Sequence, residues 1–377
     1  MKKFKNANIL TSDFTFRSGS FAVEDGKFVQ VCGDFDDRDA VDLGGSFVIP
    51  GLVDVHNHGN SGADFSDGDS DGLKRMARYL ASVGVTSFAP ASMTLPEETL
   101  EKAFLTAREL SEKRPEGASV LRGINMEGPF FNPAKKGAQN GKYLKDPDYD
   151  FFSRLNEKSG GLVRIMDVAP ELPGAVDFIG RVKDTCTVSV AHTEADYDTA
   201  KAAFDAGARH VTHLFNAMPP FHHRKPGVIG AAAENPLVRA EMICDGVHLH
   251  ASTIRAAFAM FGADRICIVS DAMSACGMPD GQYMLGGQEV TVRGRLATLA
   301  DGTIAGSATN LFDCMRTTIS FGIRPEDAVR AASWNPARQI GADGEVGSIE
   351  DGKTADFLVC GGDFALKDVY LAGKKLA

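Results

Sequence analysis

From Leu52 to about Asn335 the chain repeats one pattern: a short apolar run closes on a polar residue or proline, and amphipathic helical stretches fill several of the gaps between runs. The runs end near His58 ("GLVDVHNH"), Pro90 ("GVTSFAP"), Glu127 ("VLRGINME"), Pro170 ("VRIMDVAP"), His192 ("TVSVAH"), His213 ("ARHVTH"), Asp245 ("AEMICD") and Asp271 ("ICIVSD"). Strands alternating with helices predict βαβ units around a parallel sheet, and eight of them predict a (β/α)8 TIM-like barrel. Helices are expected in "PEETLEKAFLTARELSEK" and "ADYDTAKAAFDAGA", each with acidic residues in its first turn. A Gly-rich insert, roughly Gly277 to Gly306, reads as a hairpin after the eighth strand.

The two ends of the chain differ from the middle. "FTFRSGSFAVEDGKFVQVCG" and "GSIEDGKTADFLVCGGDFALKDVYLAGKKLA" alternate in short runs broken by turns, as a small antiparallel sheet would. The expected division is a β-sandwich domain built from 1–50 and 341–377, beside a barrel formed by 51–340. With 377 residues there is enough chain for a large domain and a smaller companion, each with its own core.

Composition narrows the function. A net charge of −10 without a compensating basic stripe argues against nucleic acid as a partner. No segment approaches the roughly 20 uncharged apolar residues of a membrane helix, so no membrane span is expected. The N-terminal "MKKFKNANIL" turns polar at Thr11-Ser12-Asp13 before an export signal could form. Seven cysteines, an odd number without C-x-x-C pairs, suit a reducing compartment and a cytoplasmic location.

The chemistry concentrates at the strand ends. In "VIPGLVDVHNHG", alternation places His56 and His58 on one face, with Cα atoms about 7 Å apart, so both imidazoles can converge on one cation. A lone strand-end histidine is ordinarily a hydrogen-bonded surface residue. Here Glu127, His192, His213 and Asp271 also close apolar runs, and barrel active sites are assembled where strands end. Six ligand-type side chains at five strand ends predict a metal hydrolase site, with zinc or a similar divalent ion polarising a carbonyl and activating water. Asp271, on the last strand, is placed to take a proton from water and pass it to a leaving amine.

These residues resemble the amidohydrolase superfamily. Within it, "EGPFFNPAKKGAQ", "VAHTEAD", "THLFNAMPPFHHRKPG", "DGVHLH" and "VSDAM" resemble the family of N-acetylglucosamine-6-phosphate deacetylases, over nearly the whole chain. The resemblance implies that Glu127, His192 and His213 hold the principal metal, that His56 and His58 form a second position, and that Asp271 is the acid/base. The cofactor it implies is zinc or iron, one or two ions per subunit. It places Ala138, Gln139, Asn216, Ala217, Ile304, Ala305 and Gly306 against the sugar, and Arg224 and His248 on its phosphate. A guanidinium and an imidazole suit that anion, since both donate charge-assisted hydrogen bonds. The Arg224 loop carries Pro219, Pro220 and Pro226 and, by resemblance, reaches a neighbouring subunit, which implies a homodimer.

The implied reaction is removal of the acetyl group from N-acetyl-D-glucosamine 6-phosphate. Two rivals are another amide hydrolysis or ring opening within the superfamily, and a non-catalytic barrel serving as a scaffold. The six intact ligand-type residues weigh against the second.

Overall fold

The computed structural model of the chain describes residues 1–33 and 38–376; the parts of the expected sandwich domain at 34–37 and 377 lie outside them. All eight apolar runs contain a strand: Leu52–Asp54, Val85–Phe88, Ile124–Met126, Val163–Val168, Thr187–Val190, His210–Val211, Arg239–Ile243 and Ile266–Val269. The last six pair in chain order into one parallel sheet. The first two join Val120–Leu121 in a second parallel sheet. Single parallel bridges connect the two sheets at both edges, Ala91 with Asn125 and Asn57 with Ala272. The strands are buried on both faces, which is why they read as apolar runs rather than alternating ones.

A helix follows each of these eight strands, from Ser70–Ser82 to Leu311–Ser320. The two expected from sequence lie at Glu97–Glu112 and Tyr197–Ala206, and Asp196 caps the second by accepting from Thr199 N at 2.9 Å. The helices bury one face, with Leu73, Met76, Leu80, Phe104 and Phe204 in the main core. Full burial of such a side chain stabilises by about 1.5–3 kcal/mol.

Strands from both ends of the chain form one seven-stranded sheet, in the order Lys374–Lys375, Leu366–Leu371, Phe357–Cys360, Val41–Pro50, Lys2–Leu10, Phe16–Glu24, Lys27–Gly33. Two details differ from the sequence reading. The strands belong to a single hydrogen-bonded sheet rather than two, closing over an aromatic core of Phe4, Phe21, Phe28, Phe357 and Tyr370. The sheet is also mixed, because Lys2–Leu10 pairs in parallel with Val41–Pro50 and antiparallel with Phe16–Glu24. Short-range alternation marks strands but carries no information about which distant strand becomes the neighbour.

The Gly-rich insert has one strand more than a hairpin. Gly281–Leu285, Gln288–Arg293 and Leu296–Thr298 form an antiparallel sheet packed on Met93, Met273 and Ala305. No helix among the described residues is long and apolar enough to cross a membrane.

Candidate metal centre and active site

Beyond their ends, the first and last of the eight strands are laced together. Asp271 donates its backbone N–H to His56 O (2.9 Å), while His58 and Gly59 both donate to Ala272 O (2.8 and 2.9 Å). This pairing carries His56, His58 and Asp271 to one place. His192, His213 and Asp271 leave their strands with φ of 46°, 28° and 47°. Left-handed backbone costs a non-glycine residue about 1–3 kcal/mol and gathers at functional sites.

The six predicted ligands meet in two buried groups, His56 with His58 and Asp271, and Glu127 with His192 and His213. Glu127 Oε1 lies 3.1 Å from His192 Nε2 and 3.3 Å from His213 Nε2, and the two ring nitrogens are 3.1 Å apart. Its Oε2 lies 3.3 Å from His58 Nε2, which is also 3.3 Å from Asp271 Oδ1. His56 Nε2 completes the set, 3.5 Å from Glu127 Oε1 and 3.6 Å from Asp271 Oδ1. Glu127 therefore faces both groups.

These contacts fit a cation. His58 Nδ1 lies 3.1 Å from Ala91 O and His192 Nδ1 lies 2.7 Å from Lys135 O. A carbonyl only accepts, so each Nδ1 carries a proton, and each Nε2 facing the carboxylates either carries a proton of its own or, with an ion bound, would offer its lone pair to that ion. Lone pairs facing carboxylate oxygens repel unless positive charge lies between them. Ligands about 2.0–2.1 Å from a tetrahedral zinc-like ion lie about 3.3 Å from one another, close to the spacing found here.

The titration behaviour expresses the same demand for positive charge. Burial opposes ionisation of Glu127, but the charge on His56 and hydrogen bonds from His192 and His213 hold its carboxyl well below the usual range. Burial also opposes the charge on His58, yet Asp271 and Glu127 raise its pKa to about 10. Burial lowers His192, favouring the neutral ring that ligates metals. Asp271 is lowered, burial being outweighed by His56 and His58.

Above the two groups opens a cavity of about 290 Å³, and its wall includes Ala138, Gln139, Asn216, Ala217, His248, Ile304 and Gly306. Gln139 braces as well as lines: it donates to Glu127 Oε2 at 2.6 Å and accepts from Thr94 N at 2.7 Å. Gly306 has φ +65°, and a Cβ there would come within 3.0 Å of Asp271 O. His248 Nδ1 lies 2.8 Å from Asp245 Oδ2; burial works against the charge on His248, and Asp245 raises its pKa despite that.

Two predicted contacts fall elsewhere. Ala305 is fully buried behind the wall, packed with Met93 and Met273, because alternation along the chain turns it away from Ile304 and Gly306. Arg224 is exposed on its proline-rich loop, 2.7 Å from His223 Nε2, and lines a separate depression with Glu194 and Asp196. Within one chain it does not reach the cavity.

The sequence profile of the amidohydrolase family matches residues 47–376. The chain belongs to this family. It is similar to the N-acetylglucosamine-6-phosphate deacetylase of Bacillus subtilis (strain 168), 36% identical over 95% of this chain and 93% of that protein. It is 33% identical to the N-acetylgalactosamine-6-phosphate deacetylase of Escherichia coli O157:H7, over 87% of each. Among solved structures, the N-acetyl-D-glucosamine-6-phosphate deacetylase of Mycobacterium smegmatis superposes with a TM-score of 0.93 at 32% identity, covering 100% of both chains.

Other residues of this amidohydrolase site escaped the sequence reading. Lys135, Met93, Leu285 and Thr303 line the cavity. Lys135 was legible as a cation inside "PAKKGAQ", although its Nζ pairs with Glu194 Oε1 at 2.9 Å while its carbonyl holds His192. Glu241, fully buried beside His56, was signalled only by a carboxylate between Ala240 and Met242 inside the strand "RAEMI". His210, His222, His223 and His250 stand outside both ligand groups; His250 caps the helix Ala251–Phe261.

Proposed function

We propose that the chain is a metal-dependent hydrolase that removes the acetyl group of N-acetyl-D-glucosamine 6-phosphate, releasing D-glucosamine 6-phosphate and acetate. The observation that carries this reading is the meeting of six ligand-type side chains beneath a cavity whose wall also bears His248 and Asn216. The relatives named as deacetylases of N-acetylhexosamine 6-phosphates point to the same substrate class.

Glu127, His192 and His213 would hold the principal ion, with His56, His58 and Asp271 around a second. An N/O donor set of this kind suits zinc or iron. Such an ion supplies Lewis acidity toward the acetyl carbonyl and a lowered pKa for water. Asp271, ionised and facing the cavity, takes a proton from the attacking water and delivers it to the departing nitrogen. Gln139 keeps Glu127 in place. His248, held cationic by Asp245, receives the phosphate. Asn216, Ala217, Ala138, Ile304 and Gly306 shape the sugar pocket, with Ala305 supporting that wall from behind.

Arg224 completes the phosphate site of a second copy in a homodimer; its distance from its own cavity supports that role. The bridges at both sheet edges support a closed (β/α)8 barrel over 51–340, with 1–50 and 341–377 forming the companion β-sandwich-like domain. Seven free cysteines support a reducing, cytoplasmic setting.

The test is acetate release by metal-assayed protein from N-acetylglucosamine 6-phosphate, N-acetylgalactosamine 6-phosphate and unphosphorylated N-acetylglucosamine. N-acetylglucosamine 6-phosphate should be preferred. Equal turnover without the phosphate would assign the site to another amide.

A further inference from the structure

Glu241 is a buried carboxylate to which the reaction above gives no work. It lies in the strand Arg239–Ile243, one alternation before Ile243, which lines the cavity, so its side chain points into the same interior. Oε2 sits 2.8 Å from His56 Nδ1 and accepts the backbone N–H of His213 at 3.3 Å. The Glu241 carbonyl accepts from Leu214 N at 2.8 Å, so backbone and side chain both grip the turn that carries His213. Oε1 has no hydrogen-bond partner, and His210 Nδ1 stands off at 3.7 Å.

A fully buried carboxylate with so few donors is costly unless nearby positive charge offsets it. His210 does not supply that charge, since burial depresses its pKa to about 4. On the other side of the His56 ring, Nε2 is buried without a hydrogen-bond partner between Glu127 and Asp271. With the Nδ1 proton committed to Glu241, that nitrogen would offer its lone pair to an ion at the centre in place of a second proton. The other supports act on single ligands: Ala91 O on His58, Lys135 O on His192, Gln139 on Glu127. Of these supports, which are not themselves ligands, Glu241 reaches a histidine of each group.

We propose that Glu241 is a positioning residue between the two metal positions, chiefly fixing His56 as a ligand of the ion at His56, His58 and Asp271, with a weaker hold on the turn that carries His213. This rests on the metal-dependent reading above.

The experiment titrates cobalt(II) into metal-free parent, Glu241→Gln and His56→Ala proteins in a chelator-buffered solution. Metal per chain is measured by elemental analysis, and the visible absorption of each bound cobalt is followed. The parent should take up two ions per chain. Glu241→Gln should weaken the ion at His56, His58 and Asp271 by about 10- to 100-fold, converge on the one-ion state of His56→Ala, and keep the absorption of the Glu127–His192–His213 ion. Thermal unfolding of the metal-free proteins should match, which separates positioning from loss of the fold. Unchanged affinity at both positions overturns the proposal, as does equal loss of both ions or a parent that releases acetate while saturating at one ion. A parent that binds no ion at all overturns the hydrolase reading as well.

Discussion

At the scale of single residues, the site works by setting proton positions. Asp271 is isosteric with asparagine, but only the carboxylate can shuttle a proton. Asp271→Asn should lower kcat by at least about 100-fold while elemental analysis still finds the ion at Glu127, His192 and His213; near-parent turnover would remove Asp271 from its role. The Asp245–His248 pair makes a pH prediction. Asp245 raises the pKa of His248 against the effect of burial, so the cation persists above the ordinary histidine value near 6.5 and is lost as pH climbs through the raised one. Burial pushes the Asp245 carboxyl up, but His248 brings it below its ordinary value, so its share of the pair is lost only as pH falls through that lowered value. Replacing Asp245 by Asn should therefore shift the pH at which KM for the phosphorylated substrate begins to rise downward, with kcat less affected; a KM–pH profile superimposable on the parent's would contradict a cationic His248 at the phosphate. Of these residues, Asp271 stood out in the sequence because it closes an apolar run. Glu241 did not, since its importance lies in a contact 185 positions away, with His56.

At the scale of elements, the decisive features are the exits from strands. Each ligand strand stops a few residues short of its functional side chain, and the lateral bonds from His58 and Gly59 to Ala272 set the spacing of the first and last strands. The seam between the terminal sheet and the eight-stranded unit passes through Gly51, between Val41–Pro50 and Leu52–Asp54. A Cβ on Gly51 would lie 2.2 Å from Thr86 Oγ1 and 2.8 Å from Thr86 Cβ, and a β-branched side chain has little room to turn away. Gly51→Ala should cost about 1–3 kcal/mol in chemical denaturation; an unchanged midpoint would mean that the two strands adjust freely. Apolar runs and helical periodicity made all eight strands and both named helices legible, because burial on both faces and on one face leave different patterns. The third strand of the insert was not, because it is only three residues long, nor was the parallel pairing of Lys2–Leu10, because its partner is chosen by distant chain.

At the scale of the whole molecule, Arg224 stands outside its own cavity, and the proposed homodimer would bring it to the phosphate of a second copy. In a homodimer that exchanges this loop, Arg224→Ala chains and Asp271→Asn chains should each be nearly inactive alone. Mixed after dissociation, they should regain activity, since half of the sites in a mixed dimer draw Asp271 from one chain and Arg224 from the other. Sedimentation as a monomer, or no recovery on mixing, would leave Arg224 a surface cation. The sequence by itself determined the order of strands and helices and which residue types close each strand, because burial and periodicity are local and leave their mark in composition along the chain. Tertiary structure alone decided that Glu127 faces both ligand groups, that Gln139 and Glu241 brace them, that Ala305 turns from the cavity and that Arg224 stands apart from it. Those outcomes depend on distances between side chains brought together only when the strands pair, and spacing along the chain does not encode them.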